Sequence, residues 1–233
     1  MKENQIISDD AQAANFREIC MGNIAPGILY RSSHPIKDLV QDKTIAMLAG
    51  KARIAAVINL SDTKSGINSK AYFAPWYNSL IQKNKVIALN MDFSVTGNRF
   101  KNKLKDGFKF IIKTNSPWLI HCYAGVDRTG FFSMVLESFM GAVLDDVIND
   151  YLLSFNSIFE SSIYDAQTTD TLAAMRILSV MSDSIDINKH NLQHVAEIYL
   201  QKIIKLSAEN TAALKLKLAG TQGIRLSDHL IFT

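Results

Sequence analysis

The chain has 233 residues, of which 48% are hydrophobic and 20% charged, and its formal net charge is +3. That balance suits a globular protein with a sizeable core. The charge is too small for a dedicated nucleic-acid binder but allows a local basic site for an anionic substrate. Its two cysteines make no disulfide framework, so a reducing compartment is expected, with any reactive thiol kept free.

The opening "MKENQIISDD" is polar and lacks the apolar centre of a signal peptide. No run reaches membrane-spanning length. The expected location is cytoplasmic, with a form secreted after loss of a leader left open. The first twenty residues read as a loosely structured arm. "GILYRSS" is short and β-like, and "IKDLVQDKTIAMLAG" has helical spacing ending at Gly50. "IAAVINL" is a continuous apolar run, as in a buried parallel strand. A helix is predicted over Asn68 to Gln82, then a buried strand in "VIALNMD" and a loop in "FSVTGN". "RFKNKLKDGFKFIIKT" is helical, with Lys101, Lys105 and Lys109 on one face and Phe108, Ile111 and Ile112 on another. "PWLIHC" is the third clear strand.

After Arg128 the pattern is helical throughout. It covers "TGFFSMVLESFMGA", "DDVINDYLLSF", and then roughly 168–182, 190–206 and 208–218, with Gly141 and Gly220 as helix ends. Strands alternating with helices imply an α/β fold: a central, mostly parallel sheet flanked by helices, with a largely helical C-terminal half. No linker or repeat divides the chain. One domain over 1–233 is expected, with a helical extension over about 155–233 packed on it.

One stretch, "HCYAGVDRTG" (His121–Gly130), does not read as ordinary punctuation. It follows a strand and opens a helix. The first turn of a helix leaves N–H groups without partners, and the helix dipole adds partial positive charge there. A tight loop of small residues lets such groups converge on an anion. The backbone from Tyr123 through Ala124, Gly125, Val126, Asp127 and Arg128, with Gly130, would line a phosphate. Cys122 would lie at the floor. A thiol pKa of ~8.5 falls to ~3.5–7.5 beside a helix N-terminus or a cation, which makes a nucleophile. Arg128 can fork two phosphate oxygens as lysine cannot. Thr129 can donate to the departing sulfur, and His121 can hold the loop from below.

This stretch resembles the His-Cys-x5-Arg-Ser/Thr signature of the protein tyrosine phosphatase superfamily. "NFRE" (Asn15–Glu18), "PGILYRSS", "AAVINL" and "DYLLS" (Asp150–Ser154) are similar to the succession of motifs in bacterial tyrosine-phosphatase-like proteins, whose loop reads Cys-x-x-Gly-x-Asp-Arg-Thr-Gly. The resemblance implies a cysteine-phosphatase fold. It also implies two-step phosphomonoester hydrolysis through a phosphocysteine, with no metal or other cofactor. The implied substrate is protein phosphotyrosine, with dual specificity as an extension.

The leaving group needs a proton donor. In the superfamily this is an Asp on a mobile loop some thirty residues before the Cys, a position that Asp92 fits. Asp127, inside the cradle, is the rival. Arg31, in "LYRSS", is the candidate brace for the site, and Arg17 has the same standing. Many relatives carry Lys where Val126 stands, which weakens a phosphoinositide reading. "AGV" matches cysteine phytases, so an inositol polyphosphate or a phosphoinositide is the alternative substrate, with a phosphate-binding pseudophosphatase below it. Tyr30, Tyr72, Tyr77 and Tyr123 all offer themselves as the ring that measures substrate depth. Cys20 as a resolving thiol and a rhodanese-like reading are both disfavoured. The expected partner is a phosphorylated protein or small molecule as substrate, not nucleic acid, and no integral membrane segment is expected. Oligomeric state is not legible.

Overall fold

The structure, a computed structural model, describes residues 9–37, 40–156, 166–182 and 187–220. Five strands form its centre: β1 (Arg17–Glu18), β2 (Leu29–Ser32), β3 (Ala56–Asn59), β4 (Val86–Ala88) and β5 (Trp118–His121). Their order is β1-β2-β5-β3-β4. The last four are parallel and β1 is an antiparallel edge strand. β3 and β5 are buried at every position, as their unbroken apolar runs require of a strand covered on both faces.

Ten helices are described: α1 (Asp9–Ala13), α2 (Val40–Lys51), α3 (Lys64–Lys70), α4 (Pro75–Gln82), α5 (Asn98–Lys113), α6 (Asp127–Phe139), α7 (Leu144–Asn156), α8 (Ala166–Ser179), α9 (Leu192–Ile198) and α10 (Ala208–Leu218). None among the described residues is long and apolar enough to cross a membrane.

Alternation along the strands sends side chains to opposite faces. Leu29, Ala56, Ile58, Trp118 and Ile120 face a core shared with α5, α6 and the later helices. Val57 and Leu119 face Ile45 and Ala49 of α2 and Tyr77 of α4. The C-terminal helices complete the first core: α9 packs on α6 and α10 on α5, burying Val195, Ala196, Leu214 and Leu218.

Three expectations need correction. The N-terminal arm is not loose where it is described, since residues 9–18 include α1 and β1. The helix expected from Asn68 to Gln82 is two helices joined by a 3-10 turn, Ala71–Phe73. Pro75 is the cause: it opens α4 and holds Ala74 at φ −128°, ψ 82°, out of the helical region. The helix expected over 190–206 passes after Ile198 into a π-turn, Tyr199–Ile203.

The loops after β2, β3, β4 and β5 all leave the carboxyl edge of the sheet. Ser32, Asn59, Ala88 and His121 stand abreast there. In an open parallel sheet this edge is where ligands are held.

α5 and α6 approach closely at Gly107, where an added Cβ would lie 2.7 Å from the Phe132 ring. Overpacking of this kind costs about 1–3 kcal/mol, against roughly 1 kcal/mol gained in helix propensity. Gly107→Ala is therefore expected to lower the melting temperature, read by thermal denaturation. An unchanged or raised value would mean that the helices part at no cost.

Candidate active site

Residues Cys122–Val126 turn between β5 and α6. Gly125, at φ +78°, takes the left-handed conformation, and a Cβ there would lie 2.5 Å from the Ser32 carbonyl oxygen. Every carbonyl of the turn has a donor outside the cradle. His121 Nδ1 donates to the Cys122 carbonyl at 3.2 Å. The Tyr123 carbonyl accepts from His34 N at 3.2 Å and Lys37 Nζ at 2.7 Å. Asn15 Nδ2 reaches the carbonyls of Ala124, at 3.3 Å, and Gly125, at 3.2 Å. Arg31 Nη2 also reaches Gly125, at 2.8 Å. Val126 accepts from Gly130 N.

The opposite edge of the backbone is left to the cradle. Gly125 N–H donates to Cys122 Sγ at 3.3 Å. The N–H groups of Tyr123, Ala124, Val126 and Asp127 have no protein acceptor among the described residues. Cys122 is 2% exposed.

Two buried networks hold this turn, one on each face of the sheet. On the α6–α7 face, Asp150 pairs with Arg31 and with Arg17, the latter at 2.7 Å. Arg17 also donates to Ser154 and to the side-chain oxygen of Asn15. Burial opposes ionisation of Asp150, but Arg31 and Arg17 outweigh it and hold the carboxyl at about 2. Glu137 of α6 is fully buried beside them. Burial, and then the Asp150 carboxylate, push it well above the usual range.

On the α4 face, Asn59 Nδ2 donates to Tyr77 Oη at 3.1 Å, so Tyr77 donates to His121 Nε2 at 3.0 Å. That leaves the hydrogen of His121 on Nδ1, where it meets the Cys122 carbonyl. Burial, then nearby His34, lower His121 well below its usual value and keep it neutral. His34 Nδ1 accepts from Ile36 N, and its Nε2 bonds Asp62 at 2.5 Å. Asp62 also accepts from Asn59 and Lys70. Burial opposes its ionisation, yet these donors hold its carboxyl well below the usual range.

Arg128 and Thr129 lie in the first turn of α6. Arg128 Nη1 donates to the Met91 carbonyl at 3.0 Å, which ties the guanidinium to the loop that carries Asp92. Asp92 is exposed and accepts from Ser94 N at 3.1 Å. Asp127 is exposed at the start of α6. Thr129 is fully buried, and its hydroxyl has no partner among the described residues, so it does not bond the sulfur here. At Gly130 a Cβ would lie 2.6 Å from the Tyr151 ring. No group of three or more His, Cys, Asp or Glu among the described residues could hold a metal ion.

Residues 11–220 match the model of a family described as the tyrosine phosphatase family. The chain belongs to the tyrosine phosphatase family. It is a cysteine-based phosphatase, a phosphoric monoester hydrolase. No curated protein sequence matches it. Among solved structures it is similar to the core catalytic domain of the PP-IP phosphatase SIW14 from S. cerevisiae in complex with citrate. That match has 18% identity over 70% of this chain and 92% of the other, with a TM-score of 0.39. A structure of the Siw14 catalytic core gives 17% identity over 69% and 95%, with a TM-score of 0.37.

The structure brings together Cys122, Arg128, the loop amides, His121, Arg31 and the Asp92 loop. It does not bring in Cys20, which is exposed. Tyr77 supports His121 from within the core and is no depth gauge. Asn15, His34, Lys37, Asn59, Asp62 and Asp150 support the phosphatase loop, and no motif or spacing in the sequence marks them for that role. Asn15 and Asp150 do lie in the quoted motifs "NFRE" and "DYLLS".

The carboxyls on the α6–α7 face have opposite consequences for stability. Asp150 is lower in the fold than in the unfolded chain (~3.9), so its contribution is present above pH ~4 and lost as pH falls toward ~2. Glu137 is higher in the fold, so it is destabilising at neutral pH, and that cost vanishes below its unfolded value of ~4.3. Glu137→Gln is expected to stabilise the phosphatase at pH 7 by about 1–3 kcal/mol, with the gain gone by pH ~4. Denaturant titration at both pH values checks this. A variant no more stable at pH 7 would show that Glu137 is ionised in the fold.

Proposed function

We propose that this phosphatase works in two steps through a phosphocysteine on Cys122. The observation that carries the reading is the orientation of the loop. All its carbonyls are held outward, and its N–H groups are left around a buried thiol. The Cys122 thiolate attacks phosphorus, forming an S–P bond as the ester P–O bond breaks. The amides and the Arg128 fork take the equatorial oxygens. Water then breaks the S–P bond, releasing phosphate and restoring the thiolate. Thr129, whose buried hydroxyl bonds nothing among the described residues, turns to that sulfur in this step and supplies it a hydrogen bond.

Asp92 is the better candidate for the acid that protonates the leaving oxygen. Its loop is held against Arg128 through Met91, whereas Asp127 is part of the cradle itself. Asp62 is excluded by its hydrogen bonds, which keep it ionised. His121 and Arg31 position the loop. The later helices share the sheet's core, so we read the chain as one phosphatase domain.

Two substrate classes suit this chemistry. Protein phosphotyrosine suits the depth of Cys122, 2% exposed. A small polyphosphorylated molecule, such as an inositol phosphate, suits the lysines beside the loop, among them Lys37 on the Tyr123 carbonyl. The lysines favour the second.

Phosphate release is to be measured at pH 5–7 without added metal. Cys122→Ser should abolish turnover, and Arg128→Lys should cost about 10²–10³-fold. Asp92→Asn should lose about 10²–10⁴-fold, most with poor leaving groups. Turnover by Cys122→Ser near that of the parent would sink the covalent route. A larger loss in Asp127→Asn would move the acid to Asp127.

A further inference from the structure

A cavity of about 370 Å³ lies between the segment after β2, the first turns of α2, and the α3–α4 junction. Lys37 stands on its boundary with the catalytic loop. It lines the cavity, its Nζ bonds the Tyr123 carbonyl at 2.7 Å, and it lies 2.5 Å from the Tyr123 ring centroid. Lys43 and Lys70 line the same cavity, together with Ser69 and a wall made by Trp76. One carboxylate, Asp42, belongs to the lining. Asp42 and Asp62, the latter paired with Lys70, offset two of the three ammonium groups, so the described residues leave a net charge of +1 at this concave surface.

The fold matches part of that charge. Lys70 is paired with Asp62 at 3.1 Å, but Lys43 has no ion-pair partner among the described residues. Burial lowers Lys37 to about 8, against the pull of Cys122 and Asp42. Gathering like charges in a recess is unfavourable unless an anion is shared among them, and a recess of one sign concentrates such an anion.

We propose that this cavity is a second-phosphate subsite. While one phosphate of a small polyphosphorylated substrate sits over Cys122, another is taken by Lys37, Lys43 and Lys70. The inference rests on the phosphatase reading above and names the substrate class of that site. A monophosphate cannot engage both places, so the subsite acts as a selector. It supplies from outside the loop the positive charge that Val126 does not supply from within.

The test compares kcat/KM for myo-inositol hexakisphosphate, p-nitrophenyl phosphate and a phosphotyrosine peptide. The parent is set against a Lys43→Met/Lys70→Met pair and a charge-keeping Lys43→Arg/Lys70→Arg pair. Separately, calorimetry follows hexakisphosphate binding to Cys122→Ser with and without the methionine pair. The expected result is at least a tenfold fall in the ratio of hexakisphosphate to p-nitrophenyl phosphate in the methionine pair. The arginine pair should hold that ratio, and calorimetry should show a matching loss of affinity. A ratio and an affinity that do not move would overturn the subsite, as would turnover of the peptide with hexakisphosphate neither bound nor cleaved. No turnover of any ester, with hexakisphosphate binding still weakened by the methionine pair, would overturn the catalytic reading while supporting the subsite.

Discussion

A loop that turns its N–H groups inward must turn its carbonyls outward, and in a buried turn those carbonyls need donors. Leaving one unsatisfied costs about 1–3 kcal/mol. Five consecutive ones would consume much of the ~5–15 kcal/mol that stabilises a domain. Much of what surrounds Cys122–Val126 answers this single demand. His121, His34, Lys37, Asn15 and Arg31 come from β5, the segment after β2, the turn before β1, and β2 itself. Parallel pairing makes the arrangement possible, because β2, β3 and β5 end abreast. Side-chain alternation then divides the support. Arg31 leaves β2 toward Asp150 on one face, while His121 and Asn59 meet Tyr77 on the other.

The two faces do different electrical work. On the α4 face the network is a relay of hydrogen bonds that fixes a neutral imidazole. On the α6–α7 face it is a charge cluster. Arg17 and Arg31 carry two positive charges and Asp150 one negative. A protonated Glu137 leaves the group at +1, behind a loop suited to a phosphate dianion. An ionised Glu137 would cancel that charge, so the burial that pushes its carboxyl well above the usual range also favours the potential. The same burial makes it costly at neutral pH, a conflict between stability and site of the kind expected near catalytic machinery.

The strands and the cradle were legible because each rests on local pattern. "AAVINL" and "PWLIHC" are continuous apolar runs, and "HCYAGVDRTG" holds its cysteine, glycine and arginine within ten residues. The supporting residues were not, because they act across long separations. Asn15 bonds carbonyls more than a hundred residues away, and Asp150 pairs with Arg31 across 119. An isolated Asn, Lys or Asp carries no period and no motif of its own. Asn15 left one faint signal, a polar residue tolerant of the left-handed conformation it adopts at φ 49°. "NFRE" lacks apolar alternation for the same reason: Asn15 and Arg17 serve a buried network instead of a surface.

Lys37 joins these strands of the structure. As a donor to Tyr123 it belongs to the frame that turns the loop carbonyls outward. As a cation in the lysine-lined recess it belongs to whatever approaches the loop. A lysine inside the cradle would add charge for every substrate alike, because every substrate places a phosphate there. A lysine outside the cradle can reward only a substrate that reaches it. Placing the charge on the segment after β2, outside the cradle, therefore turns general attraction into selection. The fold permits this because β2 and β5 are neighbours whose carboxyl ends open on the same edge.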